Sequence, residues 1–298
     1  MNLKNAWYRV RLRIGDALVG LLPQRMVTGL ADLCLKVRLK LQERQRQLVA
    51  KAAQTLPAQI VSHDGDEALN RFVLSRNPPW SRIPIQECPV PGMLTKSEKQ
   101  YYQYITNFYS GEGAVVEVGT WLGMSTFYLV HALRQNPKFQ GPLYCFDDYV
   151  WRESMTKWIS DHDLQAPSLY ESFLPLFEDG LSKSTIQADV VATVAKVADY
   201  FGNEEIPFIQ WEKGPIELLI VDCGRTLEVN EGWFQALSPS FIPGRTLIVM
   251  QDWQNHKVVP ERFWENTKIF TDAHANCLDM VHEVAGAGIA TFLFKSSN

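Results

Sequence analysis

Four carboxylates and two glycines in this chain sit where they could do chemistry. Glu117, Gly119 and Gly123 fall within Ala114 to Leu129, AVVEVGTWLGMSTFYL, and Asp147, Asp222 and Asp252 each end a later apolar run. The run Ala114 to Val118 is short, rich in β-branched residues and bounded by glycine, so it predicts an interior strand. A helical pattern begins at Ser125. A strand, a glycine turn and a helix start together form a ligand cradle. Gly119 allows a sharp bend and close approach of a ligand to the backbone. The first helical turn offers free N–H groups to an anionic or carboxylate group. Ser125 or Thr126 would cap that helix. Glu117 needs a partner inside a buried strand, and a ligand ammonium group or a backbone N–H would serve. An ordinary strand-to-helix turn of another α/β protein fits the same stretch.

The elements around this cradle alternate. Thr95 with Glu98 makes a capping box, opening a helix through Tyr101, Tyr102, Ile105 and Phe108 that stops at Gly111. After the central strand, Phe127, Leu129, Val130 and Leu133 mark a helix ending before Pro137. Pro142 to Asp148 begins as a strand and finishes on two acids. Ligands of doubly wound sheets bind outside the carboxyl ends of the strands, so an acid there can accept both hydroxyls of a ribose. Ser184 to Gln187 reads as a short third strand with Asp189 at its end. Ile216 to Asp222 is a continuous buried strand, followed by a helix through Val229, Trp233, Phe234 and Leu237. Thr246 to Met250 is the next strand, ending in Gln251, Asp252 and Trp253. Met280 to Val284 and Ile289 to Phe294 read as a closing hairpin.

The pattern E-x-G-x-x-x-G, with Thr120 inside it, resembles the first motif of class I S-adenosylmethionine-dependent methyltransferases. It departs from the dinucleotide fingerprint, because Trp121 and the missing third glycine break that spacing. The resemblance covers about residues 94 to 295 and rests on four motifs in order. It implies an α/β fold: a doubly wound, mostly parallel seven-stranded sheet with an antiparallel last strand. It implies S-adenosylmethionine as cofactor, with Glu117, Gly119, Thr120, Gly123, Ser125 and Asp147 in its site. Asp147 is preferred to Asp148 because, in the family, the ribose acid directly follows the last apolar residue. Asp189 would touch the adenine, and Asp222 would serve the methionine end of the donor.

Among such enzymes the chain is similar to the macrocin and sugar O-methyltransferases, which carry Asp-Gly-x-His-x-Tyr-Glu after the fourth strand and often paired aspartates after the fifth. Here Cys223, Gly224, Arg225, Thr226, Leu227 and Glu228 follow Asp222, so Arg225 replaces His and Leu227 replaces Tyr. Gln251 replaces the first aspartate. Arg has no accessible neutral form and cannot be a base. That leaves Asp252, with His256 as a second candidate. Asp222 and Asp252 could hold a hard divalent ion through oxygen, but the altered pattern argues against a metal site. Arg225 could pair with an acidic substrate, such as a carboxylated or phosphorylated sugar, or with Glu228 as a plain ion pair, and the plain pair is the one expected. These changes also allow a second reading: a member that has lost catalysis and acts as a scaffold.

The chain has 298 residues and a net charge of −4, with no global nucleic-acid signature. The charge is uneven. Up to residue 53 there are 11 Lys/Arg against three acids, a local balance of +8. That segment reads as a basic amphipathic helical arm, with Leu30, Leu33, Cys34, Val37 and Leu41 on one face. It suits a peripheral membrane contact or a homodimer. Residues 54–93, punctuated by proline, read as a linker or lid. Between 149 and 214, Trp151, Trp158, Tyr170 and Phe173 suggest aromatic walls. Five scattered cysteines give neither a disulfide framework nor a zinc site, and fit a reducing, cytoplasmic setting. No spanning helix or signal peptide is expected. The expected acceptor is a small molecule or sugar.

Overall fold

The structure is a computed structural model that describes residues 79–159, 164–200, 202–259, 264–284 and 287–296. The basic arm, 1–53, and the first part of the proline-rich segment lie outside the described residues.

Seven strands form one sheet in the order β3-β2-β1-β4-β5-β7-β6. They are β1 (Ala114–Val118), β2 (Leu143–Asp147), β3 (Val190–Val194), β4 (Ile216–Val221), β5 (Leu247–Met250), β6 (Leu278–Glu283) and β7 (Ala290–Phe294). The first five are parallel, and β7 inserts antiparallel between β5 and β6. This is the sheet the resemblance implies. All six residues of β4 are buried, as a strand covered on both faces requires.

Helices close both faces. On one lie α1 (Lys96–Ile105), α2 (Met124–Leu133) and α3 (Leu174–Lys183), enclosing Tyr101, Leu129, Val115 and Ile220. On the other lie α4 (Leu227–Leu237) and α5 (Glu265–Ala273), enclosing Trp233, Phe270, Val116 and Leu219. The strand register fixes this division. Val115 and Val116 point to opposite faces because side chains alternate along a strand. The capping box of α1 forms as read: Thr95 Oγ1 accepts the Glu98 N–H, and Glu98 accepts the Thr95 N–H. Below the site, Glu217 of β4 is buried but receives N–H groups of Ser110, Glu112 and Gly113 and the Arg245 guanidinium.

The third strand differs from expectation. It begins at Val190, after Asp189, not at Ser184. Ser184 caps the end of α3, and Gln187–Asp189 is a 3-10 turn. Two of the four aromatic walls also prove to be core: Trp151 and Phe173 are fully buried. Trp80 packs edge-on against Tyr101 and His282, so the segment from Pro79 lies against α1 and β6.

Candidate functional site

Three left-handed residues make the turn after β1: Gly119 at φ +85°, Trp121 at +43° and Gly123 at +95°. Gly119 is required twice over. Besides its φ, a Cβ there would lie 2.8 Å from the carbonyl carbon and oxygen of Asp222. The bend of β1 and the end of β4 therefore share one floor.

Gly123, not Ser125 or Thr126, caps α2, and no side chain caps it. The two hydroxyls are spent elsewhere. Ser125 Oγ donates to one Glu117 oxygen and Thr126 Oγ1 to the other at 2.7 Å, while Cys145 Sγ approaches at 3.6 Å. Glu117 is fully buried and does not line the cleft. Its partners are these side chains, not a ligand ammonium or a backbone N–H, so it braces the cradle from behind. Burial pushes its carboxyl up to about 7, against the hydroxyl donors that pull it down.

A folded-state value above the unfolded one means that stability is fully present below pH 4.5 and is lost as pH rises through about 7. Glu117→Gln is neutral throughout and lacks this loss. Urea unfolding at about pH 5 and about pH 8.5 should show the variant gaining about 3 kcal/mol relative to the parent across that interval. Parallel pH profiles for the two proteins would refute this.

Asp147 ends β2 and turns toward the bend. Its Oδ2 accepts the N–H groups of Thr120 at 2.9 Å and Trp121 at 3.2 Å, and Oδ1 accepts that of Tyr149 at 2.8 Å. Burial and the neighbouring Asp148 raise its carboxyl to about 6, opposed by these N–H donors. Asp148 is held by Arg152, at 2.6 and 2.9 Å, and by Asn203 at 3.0 Å. Asp189 is nowhere near. It lies at the amino end of β3 and pairs with Arg134 at 2.5 Å. The carboxyl end of β3 instead delivers Ala195, Lys196, Val197 and Ala198 to the cleft.

At the far wall, Asp222 follows β4 and Asp252 follows β5. Asp252 holds a left-handed φ of +61° and pairs with Arg225 at 3.1 Å. Arg225 also covers the Trp264 ring at 5.3 Å. Its partner is thus Asp252, not Glu228. Burial raises the Asp222 carboxyl, and Asp252 pushes it the same way; Asp252 is itself raised by burial, with Arg225 opposing. Among the described residues Asp222's carboxylate accepts no hydrogen bond, yet it lines the cleft. His256 does not line it; its Nδ1 faces the Trp253 carbonyl at 2.6 Å in the turn Trp253–Lys257.

One set of residues escaped the sequence reading. Gln251 accepts from Tyr102 Oη at 2.8 Å and donates to Glu98 at 2.9 Å, and Glu98 also accepts the Gly288 N–H. The capping glutamate of α1 thereby ties β5 and the residues before β7 into the cleft floor. The capping box located Glu98, but nothing local pointed to its second task.

Together these elements wall a cleft of about 1020 Å³. Gly119, Thr120, Ser125, Asp147, Asp222 and Asp252 line it; Glu117, Gly123, Asp189 and His256 do not. Its size is at the upper end of the ~300–1,000 Å³ typical of small-molecule sites, room for a donor and an acceptor together. Among the described residues no three His, Cys, Asp or Glu side chains are grouped to hold a metal ion, and no helix is long and apolar enough to cross a membrane.

Residues 116–253 match a family model described as a methyltransferase domain. No curated protein matches the chain in sequence. Solved structures similar to it include the O-methyltransferase NovP, at 12% identity and TM-score 0.48, covering 69% of this chain and 82% of that one. Cofactor-bound Rv0187 from MTB shares 14% identity at TM-score 0.45, covering 84% and 96% of the two chains. CalS11, a TDP-rhamnose 3'-O-methyltransferase, shares 13% at TM-score 0.45, covering 81% and 100%. The family match covers the stretch from β1 to just past β5, the part of the sheet that walls the cleft, and makes that stretch similar to methyltransferase domains.

Proposed function

We propose that the protein transfers a methyl group from S-adenosylmethionine to a hydroxyl oxygen of a small molecule. The observation that carries this is the pairing of two unlike acids across one cleft. Asp147 is tied by amides to the glycine bend, and Asp222, whose carboxylate accepts no hydrogen bond among the described residues, lies beside Asp252 and within the field of Arg225. Asp147 retains acceptor capacity beyond its three N–H bonds and would take the ribose hydroxyls. Asp222 would take the donor's ammonium group, which supplies the charge that a buried carboxylate lacks. Gly119 lets the donor approach the backbone.

The bound donor supplies an electrophilic methyl on a sulfonium. The protein's task is then alignment and proton removal. Asp252 is the base. Arg225 orients it, and burial raises its proton affinity above that of an ordinary carboxylate. The Tyr102–Gln251–Glu98 chain fixes the strand end from which Asp252 projects.

The test is incubation of the full chain with trideuteromethyl-labelled donor and a panel of hydroxyl compounds. A labelled methyl ether is expected. Donor binding without transfer to any oxygen acceptor would favour the scaffold reading.

A further inference from the structure

Part of the cleft lining is apolar and exposed. Met93, Trp158 and Val258 are 46%, 47% and 79% exposed, and all three line the cleft. They come from three separate connections: the segment before α1, the loop after β2 and the loop after β5. Leaving such side chains in water is unfavourable unless something covers them. Met124, Met155 and Trp264 line the same cleft. Thioethers and indoles are good neighbours for an aromatic ring.

Several polar side chains of the cleft are already committed. Gln254 donates to the carbonyls of Val284 at 2.9 Å and Ile289 at 2.7 Å. Arg152 is engaged by Asp148, and Arg225 by Asp252. A bare sugar entering here would bury several hydroxyls, each needing a partner. An aromatic ring carrying one hydroxyl would need only the base.

We infer that the acceptor is a phenol, its ring seated among Met93, Met155, Trp158 and Val258 and its O–H directed at Asp252. This rests on the methyltransferase reading above and narrows it. The proton match favours it too. A phenolic O–H, with a pKa of about 10, lies far closer to a carboxylate base than an alcohol does. In the step, the phenol O–H breaks and its proton goes to the Asp252 carboxylate. The oxygen forms a bond to the methyl carbon, and the carbon–sulfur bond breaks with its electron pair left on sulfur. The sulfonium becomes a neutral thioether, and the product is an aryl methyl ether.

The experiment compares 2-naphthol and 4-butylphenol with glucose, rhamnose and cyclohexanol as acceptors for the full chain, with product read by mass spectrometry. Calorimetry with S-adenosylhomocysteine runs alongside. Phenols should be methylated, and the sugars should not. Trp158→Ser and Val258→Asp should each raise KM for 2-naphthol about tenfold, with S-adenosylhomocysteine affinity changed by less than about twofold. Both positions are exposed, so the variants should keep the parent's circular dichroism. Methylation of sugars but not phenols, or an unchanged KM in both variants, overturns the inference while leaving the methyltransferase reading intact. Failure to bind S-adenosylhomocysteine overturns both.

Discussion

Asp147→Ala is expected to weaken S-adenosylhomocysteine binding by roughly 100- to 1,000-fold, with the fold retained. Two losses add. The carboxylate's bonds to the ribose hydroxyls are charge-assisted, worth about 1.5–3 kcal/mol each. Removing Oδ2 also frees the Thr120 and Trp121 amides, so the bend that receives the donor loses its tie to β2. Asp147→Asn separates the two. Its amide oxygen can still accept one N–H, so the variant should fall between the parent and the alanine form. Calorimetric titration measures both. Equal affinities in all three proteins would remove Asp147 from the donor site. Because burial and Asp148 raise this carboxyl to about 6, affinity should also decline as the medium is acidified through that value.

The second large effect is expected at Asp252. Asp252→Asn should lower kcat by about 10²- to 10⁴-fold, the usual contribution of a positioned base, while S-adenosylhomocysteine affinity stays near the parent value. The pH profile gives an independent reading. A base acts when ionised, and burial raises the Asp252 carboxyl, so kcat/KM should fall on acidification at a pH above the ordinary carboxylate range. Asp252→Asn should abolish that acidic limb. Arg225→Gln should move it upward, because the guanidinium at 3.1 Å is what opposes the rise. An unaltered limb in Asp252→Asn would assign the base elsewhere.

What could be read from the sequence was local. The bend after β1 was legible because glycine at 119 and 123 between a β-branched run and a helical pattern has few other uses. β4 was legible as an unbroken apolar run. Long-range pairing was not. Ser125 and Thr126 have the residue types of helix caps, and only the packing of α2 against β1 turns their hydroxyls onto Glu117. Arg225 has an acid three residues away in sequence, but the sheet brings β4 and β5 together and pairs it with Asp252, 27 residues on. The tie between Glu98 and Gln251 spans 153 residues. β3 was misplaced because it is an edge strand, and Val190–Val194 is only partly covered. The altered Gln251, read as a lost carboxylate, is a junction between α1 and β5.

The roles of Asp147, Asp222 and Asp252 all depend on this cleft gripping a sulfonium nucleoside. Calorimetric titration of the full chain with S-adenosylmethionine, with NAD as comparison, addresses that directly. The expected result is one site of micromolar affinity for S-adenosylmethionine and no heat with NAD. No binding of S-adenosylmethionine, or equal binding of NAD, would contradict it.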